Sequence, residues 1–207
     1  LLAISAAWTA IAVEERLVSP RSPVLSEAFR NVFVYGMGGS RSLSPDEKRA
    51  AFLSGTADTS MVGVTLYPHT GSNLGLTLRY YEEQAKTSNL VKTTLKSSFA
   101  TVGTEYRLAP FAVRNRYIDS IHFSGSLNLG YGKIEENLSD SYNSVGEKER
   151  LFVGIADMKT FVPFIFNFWF VFDLGAVYQP YELKTLHVRS KSVNTQSFAG
   201  VCYALPI

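Results

Sequence analysis

Ser120-Ile121-His122-Phe123-Ser124-Gly125-Ser126-Leu127-Asn128-Leu129-Gly130-Tyr131 is the stretch that decides how this chain folds. Ile121, Phe123, Leu127, Leu129 and Tyr131 alternate with Ser120, His122, Ser124, Ser126, Asn128 and Gly130. A period of two separates apolar from polar side chains only in an extended strand, where successive residues point to opposite faces. The run is also of the length, about ten residues, that a tilted strand needs to cross a bilayer.

The pattern recurs on both sides. In Leu74 to Tyr81, Leu74, Leu76, Leu78 and Tyr80 share one face, and Gly75, Thr77, Arg79 and Tyr81 the other. In Ala100 to Leu108 the apolar side carries Ala100, Val102, Tyr106 and Leu108, broken by Thr104, against Thr101, Gly103, Glu105 and Arg107. In Phe168 to Gln179 the even positions from Phe168 to Tyr178 are apolar, and Asp173 falls among the odd ones. Weaker segments at Asn31 to Gly38, Ser60 to Tyr67, Arg150 to Thr160 and Gln196 to Ile207 bring the expected strands to eight. The faces of Arg150 to Thr160 stay open, because Leu151, Val153 and Ile155 are in phase with Asp157 and Lys159.

Connections are expected to alternate in length. Pro68 to Asn73, Ala109 to Arg116 and roughly Val162 to Ile165 read as short turns, whereas Gly39 to Thr59, Glu82 to Lys92, Lys133 to Glu149 and Pro180 to Thr195 read as long polar loops. Short turns at one end and long loops at the other are the layout of an outer-membrane barrel. The fold expected is therefore all-β, an eight-stranded antiparallel up-and-down transmembrane β-barrel.

Composition limits the alternatives. The 207 residues suit one domain. With 20 Lys+Arg against 18 Asp+Glu there is no electrostatic footprint for nucleic acid. The single cysteine, Cys202, excludes an intrachain disulfide and a cysteine metal cluster and reads as a packing residue. His69 and His187 lack ligand spacing, so neither a metal nor any other cofactor is expected. Phe161 to Tyr178 carries Pro163, Asn167 and Asp173 and reads as strand, tight turn and strand, not as a membrane helix. Leu1 to Ala12 reads as a truncated secretory signal peptide with an A-x-A cleavage site at Ala10-Ile11-Ala12. Residues 13–28 follow as an irregular periplasmic lead, and 29–207 as the barrel.

From about Asn31 to Ile207 this alternation resembles the OmpA/OmpX-type family of eight-stranded outer-membrane barrels. The most specific match is the final strand, where Ala199, Val201, Tyr203, Leu205 and Ile207 alternate to the carboxyl end, similar to the family's assembly signal; the family usually ends in Phe or Trp. The resemblance implies residence in the outer membrane of a Gram-negative cell envelope as a monomer. It also implies outer-membrane lipid, lipopolysaccharide and the barrel assembly machinery as partners. The rival soluble, lipocalin-like ligand-binding barrel would carry a Gly-x-Trp motif on its first strand and a C-terminal helix, and the sequence has neither.

If the mixed face lines the lumen, Arg79, Glu105, Arg107, His122 and Asp173 point inward. Buried charges need partners, so an ion network is expected there. An eight-stranded interior is filled by side chains, and a structural plug is the plain reading; a porin-like small-solute passage would need Arg79 or Arg107 to change partner. Tyr67, Tyr80, Tyr106, Tyr117, Tyr131 and Tyr178 near strand ends are expected to form interfacial girdles. His122-Phe123-Ser124 is similar to the His-x-Ser of outer-membrane lipid A deacylases, but with Phe123 facing lipid the pair would face the lumen. The sequence therefore favours a structural or surface-interaction role over a lipid-modifying enzyme.

Overall fold

A computed structural model describes residues 32–45, 47–48, 55–68, 72–87, 92–108, 121–139, 144–165, 167–184 and 188–205. The expected signal peptide, the lead, Tyr117, His69 and His187 lie outside these residues. The strands are β1 (Val32–Ser42), β2 (Thr56–Leu66), β3 (Leu74–Lys86), β4 (Lys92–Leu108), β5 (His122–Ser139), β6 (Ser144–Ile165), β7 (Phe168–Tyr178), β8 (Tyr181–Leu183), β9 (Val188–Ser190) and β10 (Val193–Leu205). All but β8 and β9 close a barrel in the order β1-β10-β7-β6-β5-β4-β3-β2, every neighbour antiparallel. Closure leaves the barrel wall itself without an open edge. β8 and β9 form a separate hairpin between β7 and β10.

The alternation sorts the side chains inside-out relative to a soluble protein. Leu127 and Leu174 each leave 67 % of their surface on the outside, and Leu76, Leu78, Val102, Leu129, Phe170 and Phe172 are likewise exposed. Arg79, Glu105 and Lys159 are each 1 % exposed, inside. β7 from Phe168 to Tyr178, at about 3.3 Å per residue and a tilt of about 40°, rises roughly 25 Å, the height of the apolar band of an outer-membrane barrel. An apolar outer belt of that height has its low-energy surroundings in hydrocarbon, and the paired barrel needs no water for its backbone.

Three sequence expectations change. First, the loop boundaries move: β5 and β6 remain paired from Lys133↔Arg150 up to Ser139↔Ser144, inside the segment expected as a loop. Polar strands continue above the apolar band because the hairpin ladder satisfies their backbone groups as well as water does. The turn expected at Ala109 to Arg116 lies outside the described residues, and the one expected at roughly Val162 to Ile165 falls later, between Ile165 and Phe168, because β6 runs through those positions. Second, β6 acquires faces: Leu151, Val153, Ile155, Asp157 and Lys159 all point inward, and Phe152 and Met158 outward. Third, Tyr67 is not a girdle residue. It is buried inside the barrel, in phase with inward-facing Thr65.

Candidate functional site

The interior is layered, and each layer follows from the inward positions of a few strands. At the turn end, Phe33 of β1 meets Tyr67 edge-on at 5.9 Å and Phe161 at 6.2 Å between ring centroids. Arg107 lies over the Tyr67 ring, 3.4 Å from its centroid, and His122 sits 5.4 Å from the Trp169 ring. Both expected residues therefore face inward, but Arg107 is placed chiefly against aromatic rings, whose negative faces attract a guanidinium.

The middle layer is the ion network. Arg79 of β3 forms an ion pair with Asp157 of β6, donates from Nε to the Tyr35 hydroxyl (2.9 Å) and from Nη2 to Ser126 (2.6 Å), and lies 3.6 Å from Glu105. Lys159 is paired with Glu105 and is 3.8 Å from the other oxygen of Asp157. Glu105 also accepts from the Tyr67 hydroxyl (2.8 Å) and from Thr65 (3.3 Å). Ser126 bridges the two halves, donating to Asp157 (2.6 Å) and accepting from Asn128 (2.8 Å). Asp173 is buried on the same inner face, the direct cross-strand partner of Lys159. Arg79 and Lys159 thus face Glu105 and Asp157, whereas neither carboxyl oxygen of Asp173 has a hydrogen-bond partner among the described residues.

Two glycines make room for this layer. A Cβ on Gly63 would stand 2.6 Å from the Tyr35 ring, and one on Gly75 2.8 Å from the Tyr67 ring. The rings lie flat over these inward-facing positions, which carries their hydroxyls to Arg79 and Glu105. Above them comes an apolar layer in which Tyr81 stacks on Phe99 at 4.8 Å and approaches Phe198 at 6.0 Å, beside buried Met37 and Met61.

A second polar network fills the loop end, above the apolar band. Arg41 of β1 donates from Nε to Glu83 of β3 (3.1 Å) and pairs with Glu47 (3.3 Å); Glu83 also accepts from Ser97 (2.8 Å) and Gln179 (3.2 Å). Glu47 arrives from the connection after β1. Ser44 and Glu47 bond each other's backbone N–H, the reciprocal cap written in Ser44-Pro45-Asp46-Glu47. The Tyr181 hydroxyl, from the β8–β9 hairpin, donates to Glu47. Burial disfavours the charged form of Glu47, but Arg41 and the Tyr181 hydroxyl outweigh it and lower its pKa. Burial, with the adjoining Glu47 carboxylate, pushes the Tyr181 phenol up.

Of the girdle residues, Tyr80, Tyr106, Tyr131 and Tyr178 face outward near the limits of the apolar band. Sequence reasoning missed Asp157 and Lys159, although their phase with Leu151 was visible. It also missed Tyr35 and the whole loop-end network of Arg41, Glu47 and Glu83. The free Cys202 is buried, in keeping with a packing role. Among the described residues no cluster of His, Cys, Asp and Glu has the makings of a metal site.

No protein-family model matches the chain, and no curated protein matches it. Solved structures do. A major outer membrane protein from Thermus thermophilus superposes with a TM-score of 0.51 at 12% identity, covering 83% of this chain and 98% of that one. The chain has the fold of the eight-stranded outer-membrane barrels. The attachment invasion locus protein of Yersinia pestis is similar at a TM-score of 0.49 and 16% identity, over 84% of this chain and 98% of that one. Neisserial surface protein A aligns at 0.47 and 10% identity, over 84% and 96%. The identities are low, so what this outer-membrane-type barrel shares with them is architecture.

Proposed function

We propose that the protein is a monomeric integral outer-membrane barrel with a plugged, non-conducting lumen, whose role is structural or lies in surface interaction through the end that carries the long strands. The observation that carries this is the inside-out barrel filled by two successive polar networks with an aromatic and methionine layer between them. Arg79 stands across the middle of the lumen, held by hydroxyls and carboxylates from β1, β5 and β6. Glu47 and Tyr181 close the loop end from two separate connections. A wide water path would leave such charges solvated, and here they are buried against one another.

The loop end faces the cell exterior and the turn end the periplasm, following the layout of outer-membrane barrels. The hairpin of β5 and β6, the two longest strands among the described residues, then stands proud of the membrane. Catalysis has no place in this reading. His122 and Ser124 are both buried on the inner face near the turn end, away from any lipid substrate. The test is a planar-bilayer recording of the refolded barrel together with mass spectrometry of lipid A from cells that express it. No conductance above the lipid background and unmodified lipid A are expected. Steady single-channel steps in the wild type would refute the plug, and lipid A deacylation lost on Ser124→Ala would refute the absence of catalysis.

A further inference from the structure

We infer that a hydrogen-bonded path for protons descends the lumen wall past the aromatic and methionine layer, so that the barrel passes protons while it holds back solutes and ions. The inference rests on the proposed reading of the lumen as plugged. The layer itself is broken on β10, where the inward row reads Asn194, Gln196, Phe198. Gln196 is buried, and neither its amide oxygen nor its amide nitrogen has a hydrogen-bond partner among the described residues. A buried amide that no side chain answers is satisfied by water.

Strand register shows where such water leads. Gln196 stands opposite Arg41 of β1 on one side and Gly175 of β7 on the other. Gly175 stands opposite Asp157 of β6, Asp157 opposite Ser126 of β5, and Ser126 opposite Glu105 of β4. Opposed residues of a ladder share a face. One inward course therefore runs from the loop-end network at Arg41 to the middle network at Asp157 with no apolar side chain in it. Because the strands are tilted, the course descends: a circuit of partners that leaves β6 at Phe152 returns to it at Val162, nearer the turn end. The adjoining course continues the descent through Asp173, Lys159, Ser124 and Arg107, with His122 the next inward residue below Ser124. Both carboxyl oxygens of Asp173 and the hydroxyl of Ser124 are buried without a hydrogen-bond partner among the described residues.

Unanswered polar atoms thus recur on β10, β7 and β5 in the order of the descent, and Gly175 sets no side chain between Gln196 and Asp157. Water bonded to these groups forms a single file. A proton that enters the file beside Arg41 displaces one at each link, and another leaves beside Ser124 and His122, so no group on the way gains or loses a proton overall. Arg79 and Lys159 do not bar the way by charge, since Glu105 and Asp157 match them. Ions cannot follow, because they need either a bore that admits their hydration shell or fixed oxygens in its place. At this level Tyr81 stacked on Phe99, with Phe198, Met37 and Met61, fills the lumen.

The test uses the full barrel refolded into phosphatidylcholine vesicles that trap a pH-sensitive dye. Outward diffusion of potassium through valinomycin sets the potential that draws protons in. Acidification several times faster than in protein-free vesicles is expected, falling to the protein-free rate in Gln196→Leu. Lys191→Gln, exposed beside β10, should acidify as the wild type does. Heat-modifiable gel migration checks that each variant is folded, and Gln196→Met replaces the leucine variant if that one is not. A wild-type rate equal to that of protein-free vesicles, or an undiminished rate in a folded Gln196 variant, overturns the path and leaves the plug standing. The plug is read separately, from potassium release without valinomycin. Release above the protein-free level refutes the plug, and with it the selectivity for protons.

Discussion

Replacing Arg79 by alanine is the sharpest test of what holds the barrel's middle together. The guanidinium is 1 % exposed and meets Asp157, Ser126, Tyr35, Tyr81 and Glu105. Its loss leaves Asp157 with the Ser126 hydroxyl at 2.6 Å and the Lys159 ammonium at 3.8 Å. Stranding a buried carboxylate in this way costs about 3–5 kcal/mol. With a urea dependence of about 1–3 kcal/mol per molar, the unfolding midpoint should fall by at least about 1 M. The assay is reversible urea unfolding in lipid vesicles followed by tryptophan fluorescence, since Trp169 is buried in the lumen. Asp157→Ala supplies the second side of a cycle, and the double variant should recover about 1–3 kcal/mol relative to the sum of the singles, because it removes the stranded charge. A single-variant shift below about 0.3 M, or additivity within about 0.5 kcal/mol, would refute the reasoning that the pair organises this layer.

Gly63→Ala should cost about 1–3 kcal/mol of overpacking, because the new methyl meets the Tyr35 ring at 2.6 Å and pushes its hydroxyl off Arg79; the same unfolding assay reads it, and a neutral result would mean the ring has room to move. Glu136, buried above the apolar band and opposite Glu147, has its carboxyl raised from 4.5 to about 7 by burial and by that neighbour. A folded-state pKa above the unfolded one means the folded hairpin holds the extra proton. Its stability is therefore full below about 4.5 and is lost as pH rises through about 7. Amide exchange at the free end of the β5–β6 hairpin should accelerate over that window in the wild type and stay level in Glu136→Gln; a flat wild-type profile would contradict the burial argument. The Cys202 thiol, facing the lumen with no exposed surface, should resist maleimide in the folded barrel and react fully in urea. Labelling of the folded state at a comparable rate would place it elsewhere.

The two-residue period made much of this legible before any tertiary contact was known. Alternation is a local property, fixed by the geometry of an extended backbone, so Leu127, Leu129 and Tyr131 could be assigned outward and Arg79, Glu105, His122 and Asp173 inward from sequence alone. Tyr67 was legible by the same rule, being in phase with Thr65, and was misread because an aromatic residue near a strand end also suits a girdle. β6 was different. Leu151, Val153 and Ile155 are apolar yet point inward, because the upper lumen is packed with apolar side chains as well as crossed by charges, and local polarity then ceases to mark the face.

Only closure of the barrel decided which inward residues meet. Arg79 reaches Asp157 across the lumen at a separation of 78 positions, and Tyr181 reaches Glu47 at 134, distances that no periodic pattern encodes. Strand register fixes the height of each side chain and barrel diameter fixes what it touches, so partner choice belongs to the assembled ring of eight strands. The sequence by itself determined the alternation, the apolar face and the strand number. The tertiary structure determined the ion pairs and the layering of the lumen, because each needs side chains from strands that only the folded ring makes neighbours.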